Sequence, residues 1–326
     1  MAGLKKKSYV KTTDQVLQAF ENVRRARNHG VYAPHKPLLI LLALARVQQG
    51  KPRLVEYSDL DLPMKKLLSE FGPSSAAKSR HYPFWYLRSD GDGALWDLNK
   101  DGKPVVGVSG GTPTLTQLRG EHFSGGFPRN LDKALRKSPG LLRMVANRVL
   151  DSFFPETLHS DIAAAIGLDL EGSDNSHGVS ERVISYADKT TRRRDPAFRE
   201  NILRLYEYRC CVCEFDLRIG HSAAGLEAAH IQWHQAGGPD EEPNGLCLCA
   251  LHHKLFDLGV FTVEPVEYRV VFSQHAVAGD RSAHGELRHH GQPMRKPIDA
   301  RFNPATEFLD WNVKNVFKAP GRPGAP

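Results

Sequence analysis

The residues most plainly arranged for chemistry are Cys210-x-x-Cys213 and, 35 residues further on, Cys249-x-x-His252. Two such knuckles supply three thiolates and an imidazole, a donor set suited to tetrahedral Zn²⁺ and, with all four positions filled, to a structural rather than a catalytic ion. All five cysteines of the 326-residue chain fall between Cys210 and Cys249, so they cannot form a distributed disulfide framework. A redox Cys-x-x-Cys would need a thioredoxin-like βαβ pattern around it, and none surrounds this one. Cys211 and Cys247 are left over, and Cys247 sits on an apolar run that reads as core.

Between and beside the knuckles run Glu227-Ala-Ala-His230-Ile, Gly237-Gly-Pro-Asp240, Asn244-Gly-Leu-Cys-Leu-Cys249 and His252-His253-Lys-Leu-Phe-Asp257. From Cys210 to about Val263 the chain resembles the HNH nucleases, whose ββα-metal fold sets two strands and a helix around one catalytic divalent cation; His230, Asn244 and His253 fall in the order of the family name. Phosphodiester hydrolysis needs a base to activate water and a cation to take charge from the phosphoryl oxygens. His230, ending an expected strand over Leu226 to His230, is the candidate base. His253 and Asp257, four apart on an expected helix, would project from one face and share the catalytic cation, Mg²⁺ or Mn²⁺. By resemblance, Asn244 pins the loop that orients His230. Spacing from Cys249 gives His252 to zinc and leaves His253 for catalysis, with the reverse assignment as the alternative. Many HNH enzymes carry a ligand directly before the base, where this chain has Ala229. Glu227 is a substitute only if it can reach the site, and in a regular strand it faces away from His230.

An HNH centre has little base selectivity, so target choice falls to the N-terminal half. The stretches His35 to Leu44, Arg80-His-Tyr-Pro-Phe-Trp-Tyr-Leu87 with Leu95-Trp96, Gly125-Gly-Phe-Pro128 and Phe153 to His159 resemble the DNA sulfur-binding domain of McrA-type restriction endonucleases. Ile298 to Trp311 is also similar to that family. The resemblance implies a reader of double-stranded DNA whose backbone carries a phosphorothioate. Sulfur is larger and less strongly hydrated than oxygen, so an apolar pocket penalises oxygen more. The residues implied are Phe127 and Pro128 with Leu131, opening a helix whose N-terminus attracts anions, and Arg80, His81 and Tyr82. Arg24 and Lys36 are expected to contact the DNA backbone more generally.

Charge agrees with a polyanionic partner. Lys and Arg number 44 against 37 Asp and Glu, a net +7, and residues 1–53 alone carry eleven basic residues against Asp14 and Glu21. The elements that must position these residues read as an α+β chain of two domains. The first, 1–168, is a mainly helical, sulfur-binding-like domain, with helices near 14–28, 36–49, 58–70, 130–137, 140–152 and 156–166. Aromatic strands at 83–88 and 94–98 should form a small β-hairpin. A polar linker, 169–195, leads to the zinc-braced ββα-metal (HNH) domain, 196–318, and a Pro/Gly-rich tail, 319–326, is expected to fray. With no apolar run long enough for a bilayer, the protein is expected to be cytoplasmic without membrane partners. One HNH site per chain implies a homodimer for cutting both strands. The whole reads as a modification-dependent restriction endonuclease. The rivals are an HNH enzyme reading a methylated base, through Trp85, Tyr86 and Trp96, and a catalytically inactive, zinc-stabilised DNA-binding protein.

Overall fold

In the computed structural model, residues 12–24, 33–93, 95–105, 111–171, 196–220, 222–278 and 285–324 are described. Eight helices build most of the N-terminal half among these residues: α1 (Thr13–Glu21), α2 (His35–Gln48), α3 (Tyr57–Phe71), α4 (Tyr82–Tyr86), α5 (Leu115–Gly120), α6 (Arg129–Lys137), α7 (Pro139–Phe153) and α8 (His159–Ile166). Their boundaries follow local chemistry. Thr12 caps α1, its hydroxyl accepting from the Gln15 amide while Gln15 reaches back to the Thr12 N–H. Gly167, at φ +65°, closes α8 in the left-handed conformation that glycine adopts without strain. The expected helix over 14–28 ends at Glu21, and 25–32 lies outside the described residues. Nearly every residue of α2 from Pro37 to Ala45 is buried, so this helix is the domain's axis. Four short strands, β1 (Val55–Glu56), β2 (Asp97–Lys100), β3 (Lys103–Pro104) and β4 (Phe123–Gly126), form an antiparallel sheet in the order β1-β4-β2-β3.

The expected aromatic hairpin is not formed. Tyr82 to Tyr86 is helical: exposed Tyr82 and Tyr86 stand one turn apart with Pro83, Phe84 and Trp85 buried between them, a period near 3.6 rather than 2. The second half of that hairpin survives as β2, which pairs with β4 instead, Leu98 opposite Gly125.

The C-terminal half begins with α9 (Pro196–Leu205); most of the expected linker, 172–195, lies outside the described residues. A small ribbon, β5 (Arg218–Ile219) with β6 (Ser222–Ala223), precedes the central hairpin of β7 (Leu226–His230) and β8 (Gly245–Cys249). Then come α10 (Ala250–Asp257), the hairpin of β9 (Phe261–Val263) and β10 (Val270–Phe272), and α11 (Thr306–Asn315). The halves have separate apolar cores, but Trp233 and Val316 of the second half belong to the core of the first. Of the expected tail, 319–324 are described: Gly321 bridges Ser273 and the Arg322 amide donates to the Phe272 carbonyl, while just before it the Lys318 ammonium donates to the Gly72 carbonyl at 2.6 Å. Burial pushes the Lys318 ammonium down to about 8. Among the described residues, no helix is long and apolar enough to cross a membrane.

Candidate nuclease centre and its DNA-reading partner

The knuckles are placed by β8 and the turn before β5. Cys210, Cys213, Cys249 and His252 offer donor atoms all within 4.8 Å of one another. Cys213 Sγ lies 3.9 Å from Cys249 Sγ, and His252 Nδ1 lies 3.2 and 3.7 Å from the sulfurs of Cys249 and Cys210. A tetrahedral zinc with Zn–S near ~2.3 Å and Zn–N near ~2.0 Å needs donors separated by roughly 3.5–3.8 Å, so the quartet fits the ion. The Glu286 carboxylate lies 2.8 Å from His252 Nε2, the ring nitrogen other than the one facing the sulfurs. The spare thiols Cys211 and Cys247 are buried.

The hairpin divides the remaining chemistry between its two faces. In β7, Leu226, Ala228 and His230 point one way, Glu227 and Ala229 the other. His230 faces α9: its ring stacks on Phe198 at 4.4 Å and 20°, and Nε2 is 2.8 Å from the Asp240 carboxylate. Gly245 is its register partner, and a Cβ there would stand 2.3 Å from Ile202, so glycine is what lets α9 close on the hairpin. Asn244 is fully buried and staples the intervening loop, its Oδ1 accepting from the Gln232 amide while its Nδ2 donates to the carbonyls of Gln232 and Pro239. In that loop Gly238 passes so close to the Gln232 carbonyl that a Cβ would lie 1.9 Å from it.

Glu227 faces α10 and its carboxylate lies 2.6 Å from His253 Nδ1. That contact holds the Glu227 carboxyl below its usual range against the opposing effect of burial. Facing away from His230 is therefore what brings Glu227 to His253. In a regular strand, the three-residue offset between Glu227 and His230 sets the Glu227–His253 pair and the His230–Asp240 pair on opposite faces of β7. Asp257 does meet His253, 3.3 Å from its Nε2, but its side chain is only 2% exposed and accepts from Trp233 Nε1 at 2.9 Å and from the Thr157 hydroxyl. Its two oxygens thus serve Trp233, Thr157 and His253.

In the N-terminal half, several expected contact residues are engaged within the protein. Phe127 is 2% exposed, edge-on to Phe20 and Trp96, and is core. Only Pro128 and Leu131 of that corner stay partly exposed, at the start of α6. Arg80 is buried and pairs with Asp61 at 2.7 Å; Arg119 and the Tyr57 hydroxyl share the same carboxylate. Burial pushes the Asp61 carboxyl up, but the two guanidinium groups and the phenol outweigh it and hold it below the ordinary range. Arg24 and Lys36 converge on buried Asp90, at 3.0 and 2.5 Å. His81 and Tyr82 do reach a surface cleft of about 470 Å³, lined also by Tyr86, Thr112, Pro113, Thr114 and Leu115. Burial first, and the Arg80 charge second, push the His81 imidazole down. Tyr86 was legible in principle: a helical reading sets it one turn from Tyr82. Thr112 to Leu115 carried no signal, nor did Asp240, Thr157 and Trp233, whose roles depend on contacts across loops or between domains.

Comparison with known proteins agrees with this division. Residues 13–171 match the ScoMcrA-like DNA sulfur-binding domain, and residues 210–264 match the HNH endonuclease family. Among solved structures, the chain is similar to the sulfur-binding domain of ScoMcrA complexed with phosphorothioated DNA, at 24% identity and TM-score 0.39 over 47% of this chain and 94% of that one. It is similar to the sulfur-binding domain of SprMcrA in the same kind of complex, at 21% and 0.38 over 50% and 98%. Against the type IV phosphorothioation-dependent restriction endonuclease ScoMcrA, the figures are 22% and 0.36, and the chain spans 28% of that protein. No curated protein matches the chain. The chain thus joins a ScoMcrA-like DNA sulfur-binding domain to an HNH endonuclease domain.

Proposed function

We propose that the protein is a restriction endonuclease that binds phosphorothioated DNA through residues 13–171 and hydrolyses a nearby phosphodiester at the β7–β8 hairpin. The observation that carries this reading is the presence in one chain of a sulfur-binding domain and an HNH domain whose His230, Asn244 and His253 occupy the strand end, the loop staple and the helix. β7 is an edge strand of a two-stranded sheet among the described residues. A phosphate lying along that edge can be approached from both faces. His230, its ring oriented by Asp240 and Phe198, takes the proton from the attacking water. Glu227 and His253 would hold a divalent cation, Mg²⁺ or Mn²⁺, whose chemistry is to neutralise charge on the phosphate oxygens. Glu227 thereby supplies the acidic group that Ala229 lacks. Zinc at Cys210, Cys213, Cys249 and His252 would be structural.

For the reader, Pro128 and Leu131 at the N-terminus of α6 offer apolar surface beside positive potential, the combination that tolerates sulfur better than oxygen. The His81, Tyr82 and Tyr86 cleft suits an adjacent sugar or base. A homodimer would place two centres on the two strands. Binding curves on matched duplexes carrying a phosphorothioate, a 5-methylcytosine or neither test the reader: preference for the sulfur duplex supports it, and preference for the methylated one replaces it. Supercoiled phosphorothioated plasmid incubated with Mn²⁺ should become linear with wild-type protein and stay supercoiled with His230→Ala.

A further inference from the structure

The two domains meet at a carboxylate. Asp257, the last residue of α10, is buried at the contact between that helix and the turn Glu156–Leu158 leading into α8. One of its oxygens accepts from the Trp233 indole at 2.9 Å, and Trp233 is itself packed in the core of the N-terminal domain. The other accepts from the Thr157 hydroxyl of the N-terminal domain and lies 3.3 Å from His253 Nε2. One turn back on α10, Lys254 donates to the Thr157 carbonyl and pairs with Asp161 of α8. The ring of His253 is thus held on one side by Glu227 of its own hairpin and on the other by a carboxylate that Thr157 reaches from across the domain boundary and Trp233 from its own half.

A carboxylate this buried needs its donors, and losing one leaves a charge without compensation. The orientation of an imidazole depends in turn on the partner of its outer nitrogen. We propose that Asp257 is a positioning residue through which Thr157 of the sulfur-binding domain sets His253, so that the DNA-reading domain completes the nuclease centre as well as delivering it to DNA. This rests on the reading of His253 as part of that centre. The interface then has a functional role: movement of the Glu156–Leu158 turn on binding DNA would reach His253 through one shared carboxylate oxygen.

The test uses full-length protein and single-turnover cleavage of a phosphorothioated duplex at saturating enzyme, with DNA affinity measured separately. Thr157→Val keeps the shape and removes the hydroxyl. It should lower the cleavage rate constant about 10-fold, the lower end of effects for outer partners of a ligand, leave the Kd for DNA within twofold, and raise the Mn²⁺ concentration needed for half-maximal rate. Thr157→Ser should restore all three. Asp257→Asn should lower the rate further. A Thr157→Val protein that melts like wild type and cuts within twofold of its rate overturns the coupling, as does a loss that Thr157→Ser fails to restore. His253→Ala serves as the separate check on the underlying reading: wild-type cutting by that variant overturns the placement of His253 itself, whatever Thr157 does.

Discussion

Cations and carboxylates serve opposite purposes in the two domains. In the sulfur-binding domain, basic residues that look poised for phosphate are drawn onto buried acids, Arg80 and Arg119 onto Asp61, Arg24 and Lys36 onto Asp90, Arg136 onto Asp132. In the HNH domain, the ionisable side chains near the hairpin gather around histidines, Asp240 on His230 and both Glu227 and Asp257 on His253. The first pattern ties cations into a scaffold and the second fixes the orientation of imidazoles. A basic segment in a sequence therefore measures the charge a domain carries, which differs from the charge it offers to DNA.

The contrast can be broken or sharpened in descending order of effect. Removing the zinc proposed at the Cys210–His252 quartet, by chelation or by Cys249→Ser, should unfold the hairpin region, since structural zinc contributes on the order of 10 kcal/mol. The sulfur-binding domain should still melt cooperatively and still bind DNA, which calorimetry and a gel shift would check. Phe127→Ala should cost about 3–5 kcal/mol of N-terminal stability as a buried aromatic, while the residual folded protein keeps its preference for sulfur; loss of preference at unchanged stability would return Phe127 to the reading surface. His230→Ala should slow cleavage about 10²- to 10⁴-fold without altering zinc content. Asp61→Asn leaves Arg80 buried without its counter-charge and should cost about 3 kcal/mol. Because the Asp61 carboxyl is depressed in the folded state, its contribution is fully present above the ordinary carboxylate pKa and fades as pH falls through the lower folded value; Asp61→Asn should flatten that acid-side loss in a denaturation series. Arg24→Ala should be smallest, under about 1 kcal/mol, since its guanidinium is 68% exposed and Lys36 still neutralises Asp90.

What the sequence discloses tracks the distance over which each contact is made. Cys-x-x-Cys and Cys-x-x-His fold onto themselves within a turn, so spacing alone finds them, and His230, Asn244 and His253 sit on one supersecondary unit, where the family resemblance finds them. The apolar rhythm of α2, α3 and α7 is equally local. Arg80 and Asp61 are nineteen positions apart, Lys36 and Asp90 fifty-four, Thr157 and Asp257 a hundred. Nothing in the vicinity of either member of these pairs announces the other, so exposed and sequestered cations look alike. The aromatic run at Tyr82 misleads for a different reason: its residue types favour a strand, and the tertiary core imposes a helix.

The closing segment of the described chain has a consequence for how the protein comes into being. Val316 lies in the first domain's core, Lys318 ties to Gly72, and Gly321 pairs alongside Ser273. These residues leave the ribosome after everything they fasten together. A translating chain therefore completes the first domain's core only after the second half has emerged, and an unfinished product would lack the latch that joins the two halves.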